Sequence, residues 1–312
     1  STAACLLPVA LGICAAAKIP ASRQLMPLAF ACGWGGIITM VGTPPNIIAV
    51  GAMTSAGLEP FGFFEFAWIG IPVSIAGMLY MMFVGKYLLP KVDLSADQEI
   101  EQEIEATVTD SKKQIVSGLI LAVCIIVMAL DLKAISLEMT AIVGALVCVL
   151  TGCLTEKQAY SAIDWVTIFL FAGMMPVSAA MDKTGAGKLI AEWAVSLMGG
   201  SPTPIIMTSV LFIISCTLTQ FMSNTAACAL LAPVGVAISQ QLGASPKAVL
   251  MAIGVAASCA FATPVGTPPC TLVLGPGGYK FMDYVKVGVP LVILCFIVSI
   301  IVIPMVWPFF PG

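Results

Sequence analysis

Two stretches of this chain are too long and too broken to be single membrane helices. Residues 24–58 and 248–279 carry no charged side chain over 35 and 32 positions. Each is interrupted by the same run, Val41-Gly42-Thr43-Pro44-Pro45 in the first and Val265-Gly266-Thr267-Pro268-Pro269 in the second. Proline has no N–H to donate and drives the residue before it out of helical geometry, so no helix continues through Gly-Thr-Pro-Pro. Backbone that unwinds at membrane depth must be buried in protein or line a wet cavity. Each stretch therefore reads as a helix, an unwound loop and a half-helix.

That a membrane is the solvent follows from composition. Of 312 residues, 60% are hydrophobic and 9% charged, against roughly 25% charged in a soluble domain. Uncharged segments fit single spans at 66–85, 114–130, 139–155, 165–181 and 287–308. The 54 uncharged residues of 193–246 break at Ser223-Asn224-Thr225. They read either as two full spans or as a re-entrant hairpin, and the absence of a charged loop favours the hairpin, at about 203–240. Val92 to Lys113 is polar and acidic and reads as a solvated linker over 91–113. Lys188 to Leu197 reads as an interfacial amphipathic helix, Met174 and Met175 as packing residues, and Trp307 as an interface anchor. The cysteines sit mostly in apolar runs, as at Cys124, Cys148, Cys216 and Cys295, and read as small buried hydrophobes. No basic excess points to nucleic acid. With no His in the chain, His-based metal sites and the commonest general base are excluded.

The chain also repeats itself. The Gly-Thr-Pro-Pro runs are 224 residues apart. Ile69-Gly70-Ile71-Pro72 returns as Val287-Gly288-Val289-Pro290, and Leu7-Pro8-Val9 as Ala232-Pro233-Val234. Three landmarks in one order imply two halves, 1–90 and 114–312, the second with a broken helix at about 247–274 and a last span at 285–308. Threading the chain through the spans puts nine Lys and Arg on one face (Lys18, Arg23, Lys86, Lys91, Lys112, Lys113, Lys157, Lys280, Lys286). Four fall on the other (Lys133, Lys183, Lys188, Lys247). The richer face is expected to be cytoplasmic, with the linker inside, the C-terminus outside and the halves inverted. Broken segments at matching positions of inverted halves point to the binding site of a secondary transporter. The fold class expected is an all-α membrane protein, an inverted-repeat secondary transporter with a re-entrant hairpin and two broken transmembrane helices.

The chemistry follows from the groups that the breaks hold. No Asp or Glu lies deep in a span, which favours a coupling ion other than the proton. Na⁺ suits carbonyl and hydroxyl oxygens, which Ser223, Asn224, Thr225, Gly266 and Thr267 supply. The half-helix after each loop is expected to turn its N–H end, which favours an anion, toward the site. With no Arg near the motifs, bound Na⁺ would supply the positive charge, and anion and cation would be coupled. Taken singly, Ser-Asn-Thr is also an ordinary helix cap and Gly-Thr-Pro-Pro an ordinary kink. A channel and a membrane-embedded enzyme are the other readings. An enzyme would need a polar constellation facing one cavity, and none is visible, so none is expected.

Ser223-Asn224-Thr225, the two Gly-Thr-Pro-Pro loops, Ser258-x-x-Phe261-x-x-Pro264-Val265-Gly266, Gly275-Pro276-Gly277-Gly278-Tyr279 and Val287-Gly288-Val289-Pro290 together resemble the divalent anion:sodium symporter family. The resemblance spans essentially the whole chain. It implies Na⁺ as coupling ion, a dicarboxylate such as succinate or else sulfate as substrate, a homodimer, and an elevator-like shift, in a bacterial inner membrane. An antiporter or proton-coupled relative is the alternative within transport. It implies one Na⁺ held by Ser223, Asn224, Thr225, Gly266 and Thr267, and another by Gly42, Thr43 and Asn46 with a first Ser-Asn-Thr. The substrate would lie among Ser223, Asn224, Thr225, Thr43, Pro44, Thr267 and Pro268. The opening Ser1-Thr2-Ala3-Ala4-Cys5-Leu6-Leu7-Pro8 is similar to the family's residues just after that triplet, so the first triplet is expected immediately before Ser1. Cys270 stands where the first loop, and the family, have Asn.

Overall fold

The computed structural model describes residues 2–90, 111–130, 137–163 and 203–310, with scattered positions between 164 and 202. Among the described residues every regular element is helical. The first half contributes α1 (Thr2–Ala17), α2 (Leu25–Gly36), α3 (Pro44–Ser55) and α4, which runs from Ala67 through a π-helical segment at Met81–Gly85 to Leu88. A helical pair α5 (Ser111–Ala129) and α6 (Leu137–Leu150) and a short α7 (Glu156–Ala162) follow. The second half contributes α8 (Pro204–Thr219), α9 (Asn224–Leu242), α10 (Pro246–Ser258), α11 (Pro268–Leu274) and α12 (Phe281–Val306). Among the described residues three helices are long and apolar enough to cross a membrane, Ala67–Leu88, α9 and α12. Helix α5 already starts at Ser111, so the last three residues of the expected linker are helical. The rest of that linker, most of the span expected at 165–181, Met174, Met175 and nearly all of Lys188 to Leu197 lie outside the described residues.

The two long stretches fold as the proline pairs dictate. Helix α2 stops at Gly36, residues 37–43 unwind, and α3 restarts with Pro44 and Pro45 in its first turn. Helix α10 stops at Ser258, residues 259–267 unwind, and α11 restarts with Pro268 and Pro269. The half-helices differ in length. Helix α3 has 12 residues, whereas α11 has 7 because Gly275-Pro276-Gly277-Gly278 stops it and Gly278 takes φ +62°.

The sequence repeat is also a repeat in packing. Helix α1 packs on α2 and α11, as α9 packs on α10 and α3. Helix α2 packs on α4 and α11, as α10 packs on α12 and α3, and α4 packs on α12. Exchanging the halves leaves this set of contacts unchanged. The Gly-x-Pro landmark is part of it. A Cβ on Gly70 would come within 2.7 Å of the Ile38 backbone, and one on Gly288 would strike the Phe261 carbonyl oxygen. In both halves the following span thus lies directly against the unwound loop, a contact only glycine allows.

Helix α10 is the centre, buried from Ala248 to Ser258. Helix α8 binds it with hydroxyls as well as apolar surface. Ser215 donates to the Ile253 carbonyl (2.8 Å), and Thr219 Oγ1 lies 2.7 Å from the Ala257 carbonyl. Each such bond contributes about 1 kcal/mol. The free thiols of Cys216 and Cys295 are buried and those of Cys124 and Cys148 half-buried, as the reading of packing residues requires.

Three ties join segments that are distant in sequence. Tyr279 Oη donates to the Ser22 carbonyl (2.7 Å), Cys153 Sγ to the Lys113 carbonyl (3.7 Å), and Glu65 accepts from both Lys247 and Trp307. Trp307 is a correction. It is buried, with its indole N–H held by Glu65 at 2.8 Å, so it anchors protein to protein rather than protein to lipid.

Candidate functional site

The two loops are built alike. Thr43 has φ −146° and ψ 142°, and Thr267 has φ −135° and ψ 142°. Extended geometry is what a following proline imposes. Neither threonine uses its side chain to cap the half-helix it precedes. Both loops double back one turn. A Cβ on Gly42 would strike the Gly36 carbonyl, and one on Gly266 would lie 2.7 Å from Ala260 Cβ and 2.8 Å from the Thr219 carbonyl. Ala260 is the counterpart of Gly36 at the same 224-residue offset.

The half-helices do not offer their N–H ends as the sequence led us to expect. Two prolines remove the first two donors. The next amide is already used: Asn46 N–H bonds the Thr43 carbonyl, and Cys270 and Thr271 N–H bond the Thr267 carbonyl. The hairpin tip behaves differently. The first amides of a helix lack intrahelical partners, and in α9 the third is capped by Ser223 Oγ (3.2 Å) and the fourth by the Ser223 carbonyl (3.0 Å). The Asn224 and Thr225 amides are left without a hydrogen-bond partner, as first-turn amides of a helix ordinarily are. Ser223 is therefore a helix cap, and the two free amides belong to a helix end that favours negative charge.

The tip faces the second loop. Ser223, Gly266, Pro268 and Thr271 line one cavity of about 540 Å³ with Phe221, Met222, Val265 and Leu272. Thr271 is occupied by the Pro264 carbonyl at 2.7 Å. Behind the tip, Thr219 Oγ1 lies 2.7 Å from Asn224 Oδ1 as well as from the Ala257 carbonyl. The Thr219 hydroxyl, the Asn224 side-chain amide and the Ala257 carbonyl thus converge behind the tip, and their oxygens are of the kind a hard cation takes.

The first loop holds an oxygen without a partner. Asn46 is fully buried. Its Nδ2 donates to the Thr39 carbonyl (2.9 Å) and the Ile37 carbonyl (3.4 Å), while its Oδ1 has no hydrogen-bond partner. A buried acceptor left unmatched costs about 1–3 kcal/mol, and a cation beside it would remove that cost. The two loops meet through α9, where Cys228 Sγ donates to the Pro45 carbonyl at 3.5 Å, one turn beyond Asn224 and Thr225. Gly42, Thr43, Pro44 and Asn46 are thus joined to the tip through Pro45 but are not in the cavity it shares with Gly266 and Pro268. Thr267 is buried behind that cavity.

The sequence reading missed Thr219 and Gln220. Gln220 Nε2 donates to the Cys259 and Cys216 carbonyls (3.0 Å each), and its Oε1 accepts from Ala262 N–H (3.0 Å). Thr263 Oγ1 donates to the Gln220 carbonyl (2.7 Å). A polar pair just before the triplet, inside an otherwise apolar run, was the available signal.

The sequence profile of the citrate transporter family matches residues 1–136 and 125–310. The chain belongs to this family. An uncharacterized transporter of Haemophilus influenzae is 32% identical over 321 residues, covering 96% of this chain and 67% of that protein. The uncharacterized transporter YfbS of Escherichia coli is 42% identical over 171 residues, covering 54% of this chain and 28% of that protein. The sodium-dependent dicarboxylate transporter SdcS of Staphylococcus saprophyticus is 24% identical over 300 residues, covering 89% of this chain and 57% of that protein. The matched region thus spans from about a quarter to two thirds of these relatives. Family and apolar helices together make the chain part of an integral membrane protein.

Proposed function

We propose that the protein is a Na⁺-coupled symporter of a small divalent anion, a dicarboxylate first and sulfate second. The observation that carries this is the hairpin tip. Two free amides, at Asn224 and Thr225, begin the helix whose first side chain, Asn224, meets the oxygens of Thr219 and, through it, Ala257. An anion on the amides and Na⁺ on the oxygens would neutralise one another. Unit charges about 4 Å apart attract by roughly 4 kcal/mol at an effective dielectric near 20. That is close to a thousandfold mutual gain in occupancy, which is what symport requires. A second Na⁺ would take Asn46 Oδ1 with the Gly42 and Thr43 backbone. Ser223, Thr43, Pro44, Thr267 and Pro268 would shape the substrate's surroundings. Both ions are cargo, and no organic cofactor or catalytic residue enters.

The name of the Staphylococcus relative supports Na⁺ and dicarboxylate. The wider reading keeps an elevator-like shift of a homodimer in a bacterial inner membrane, with inverted halves, a re-entrant α8–α9 hairpin, residues 91–110 inside and the C-terminus outside. Uptake of labelled succinate and of sulfate into proteoliposomes holding the full-length protein tests it. Succinate uptake driven by an inward Na⁺ gradient is expected. Uptake indifferent to Na⁺ that follows a pH gradient would end the symport reading, and Na⁺-driven uptake of sulfate alone would reverse the order of substrates.

A further inference from the structure

Glu65 lies in the segment between α3 and α4, and two of the three donors to its carboxylate come from more than 180 residues away. Its Oε1 accepts from Trp307 Nε1 at the end of α12 (2.8 Å). Its Oε2 accepts from Gly62 N–H (2.9 Å) and from Lys247 Nζ in the first turn of α10 (3.4 Å). Lys247 in turn lies over the Phe61 ring, 5.7 Å from its centre. Beside this cluster Ser245 N–H bonds the Phe309 carbonyl. The side chains of Glu65 and Lys247 are only 21% and 25% exposed. A carboxylate that far out of water is held there by its three donors, two of them from the other half of the chain.

The same short segment reaches the first unwound loop. The Phe63 carbonyl, two residues before Glu65, accepts from Met40 N–H at 3.0 Å. Met40 belongs to the loop that Gly42 closes and that Asn46 ties through Thr39. The Phe61 and Phe66 rings pack at a tilt, 5.0 Å between centres, and both are buried, which stiffens 61–66 as a strap. Its other anchor, Lys247, opens the helix that ends in the second unwound loop. One carboxylate therefore references the first loop to the start of α10 and the end of α12.

We propose that Glu65 is a positioning residue that sets the first unwound loop, Met40 to Asn46, in register with the second half. Its effect on cation binding rests on the assignment of Asn46 Oδ1 to Na⁺; the positioning itself does not. If the ties to Lys247 and Trp307 are cut, 61–66 keeps its aromatic packing but loses its reference, and the Phe63–Met40 bond opens more often.

Hydrogen exchange on the full-length protein in detergent, with Na⁺ titration of uptake in proteoliposomes, tests this. Glu65→Gln should speed exchange in a peptide containing Met40 at least tenfold, and leave peptides of α9 within twofold. It should also raise the Na⁺ concentration for half-maximal uptake at least fivefold with a smaller change in maximal rate. Lys247→Met, which leaves the Trp307 bond, should give a weaker version of both effects and guards against a Glu65 variant that fails to fold. Unchanged exchange at Met40 in a folded Glu65→Gln protein overturns the proposal. So does faster exchange spread equally over α9, which is what general loosening gives. Faster exchange confined to the loop, in a protein whose wild-type uptake ignores Na⁺, supports the positioning role and overturns the symport reading instead.

Discussion

The first and second unwound loops share a backbone and differ in what holds it. In the first, Asn46 reaches back from its own half-helix to the Ile37 and Thr39 carbonyls. In the second, Cys270 occupies the equivalent place and makes no such bond; Gln220 reaches across from the hairpin to the Cys259 carbonyl and the Ala262 amide. Cys270 is itself buried, and its carbonyl is taken by Tyr284 Oη at 2.7 Å. Both loops take a bond from their own half-helix, through Asn46 in the first and Thr271 in the second, and the second is braced in addition by the hairpin that carries the tip. The difference teaches that an unwound loop needs a polar brace but that the brace need not come from a fixed position. It also means that whatever moves the hairpin tip moves the second loop more directly than the first.

The strongest way to break the comparison is to attack what the loops share. Gly42→Ala and Gly266→Ala each push a methyl group into backbone or a packed side chain. Each is expected to destabilise the protein by about 3 kcal/mol, near the upper end for overpacking, with a drop in thermal midpoint in detergent. If either is tolerated while the other unfolds the protein, the loops are not equivalent in their tight return.

A smaller effect separates the two braces. Asn46→Ala leaves the Ile37 and Thr39 carbonyls without their side-chain donor and should cost about 2 kcal/mol, whereas Cys270→Ala removes one buried thiol and should cost about 1 kcal/mol. On the proposed role of Asn46 Oδ1, Asn46→Ala also raises the Na⁺ needed for half-maximal uptake more than tenfold, and Cys270→Ala leaves it alone. Equal Na⁺ shifts in the two variants would erase the distinction drawn between the loops.

The finest test moves the brace. Gln220→Ala should cost about 1–2 kcal/mol through the bonds it loses to the second loop. Cys270→Asn in that background should recover part of the loss by bracing the loop from its own half-helix, as Asn46 does. A double-mutant cycle in thermal stability reads this as a coupling energy of about 0.5–1 kcal/mol. No coupling would mean that Cys270 sits outside the reach of the Phe261 and Thr263 carbonyls.

Much of the fold is legible in the sequence because prolines and charges act locally. A Pro-Pro pair removes two donors wherever it occurs, so the starts of α3 and α11 follow from residues 44–45 and 268–269. The scarcity of charge marks the spans, and Ser223 at a break in an apolar run marks the start of α9. The half-helix N–H ends are misread from sequence because the dipole rule does not follow each amide to its partner. Asn46 N–H and Cys270 N–H are consumed inside their own first turns. Trp307 is misread because aromatic residues near a chain end suit a lipid interface equally well, and only the approach of Glu65 from 242 residues away decides the matter.

By itself, the sequence determined where the backbone must break, that the break occurs twice, and which oxygens and amides stand near it. Those are consequences of covalent chemistry within a few residues. The tertiary structure decided which span lies against each loop through Gly70 and Gly288, which side chain braces each loop, and that the hairpin tip faces Gly266 and Pro268 across one cavity. These are contacts between segments tens to hundreds of residues apart. Their geometry depends on how α3, α9, α10 and α12 pack together, which no local pattern encodes.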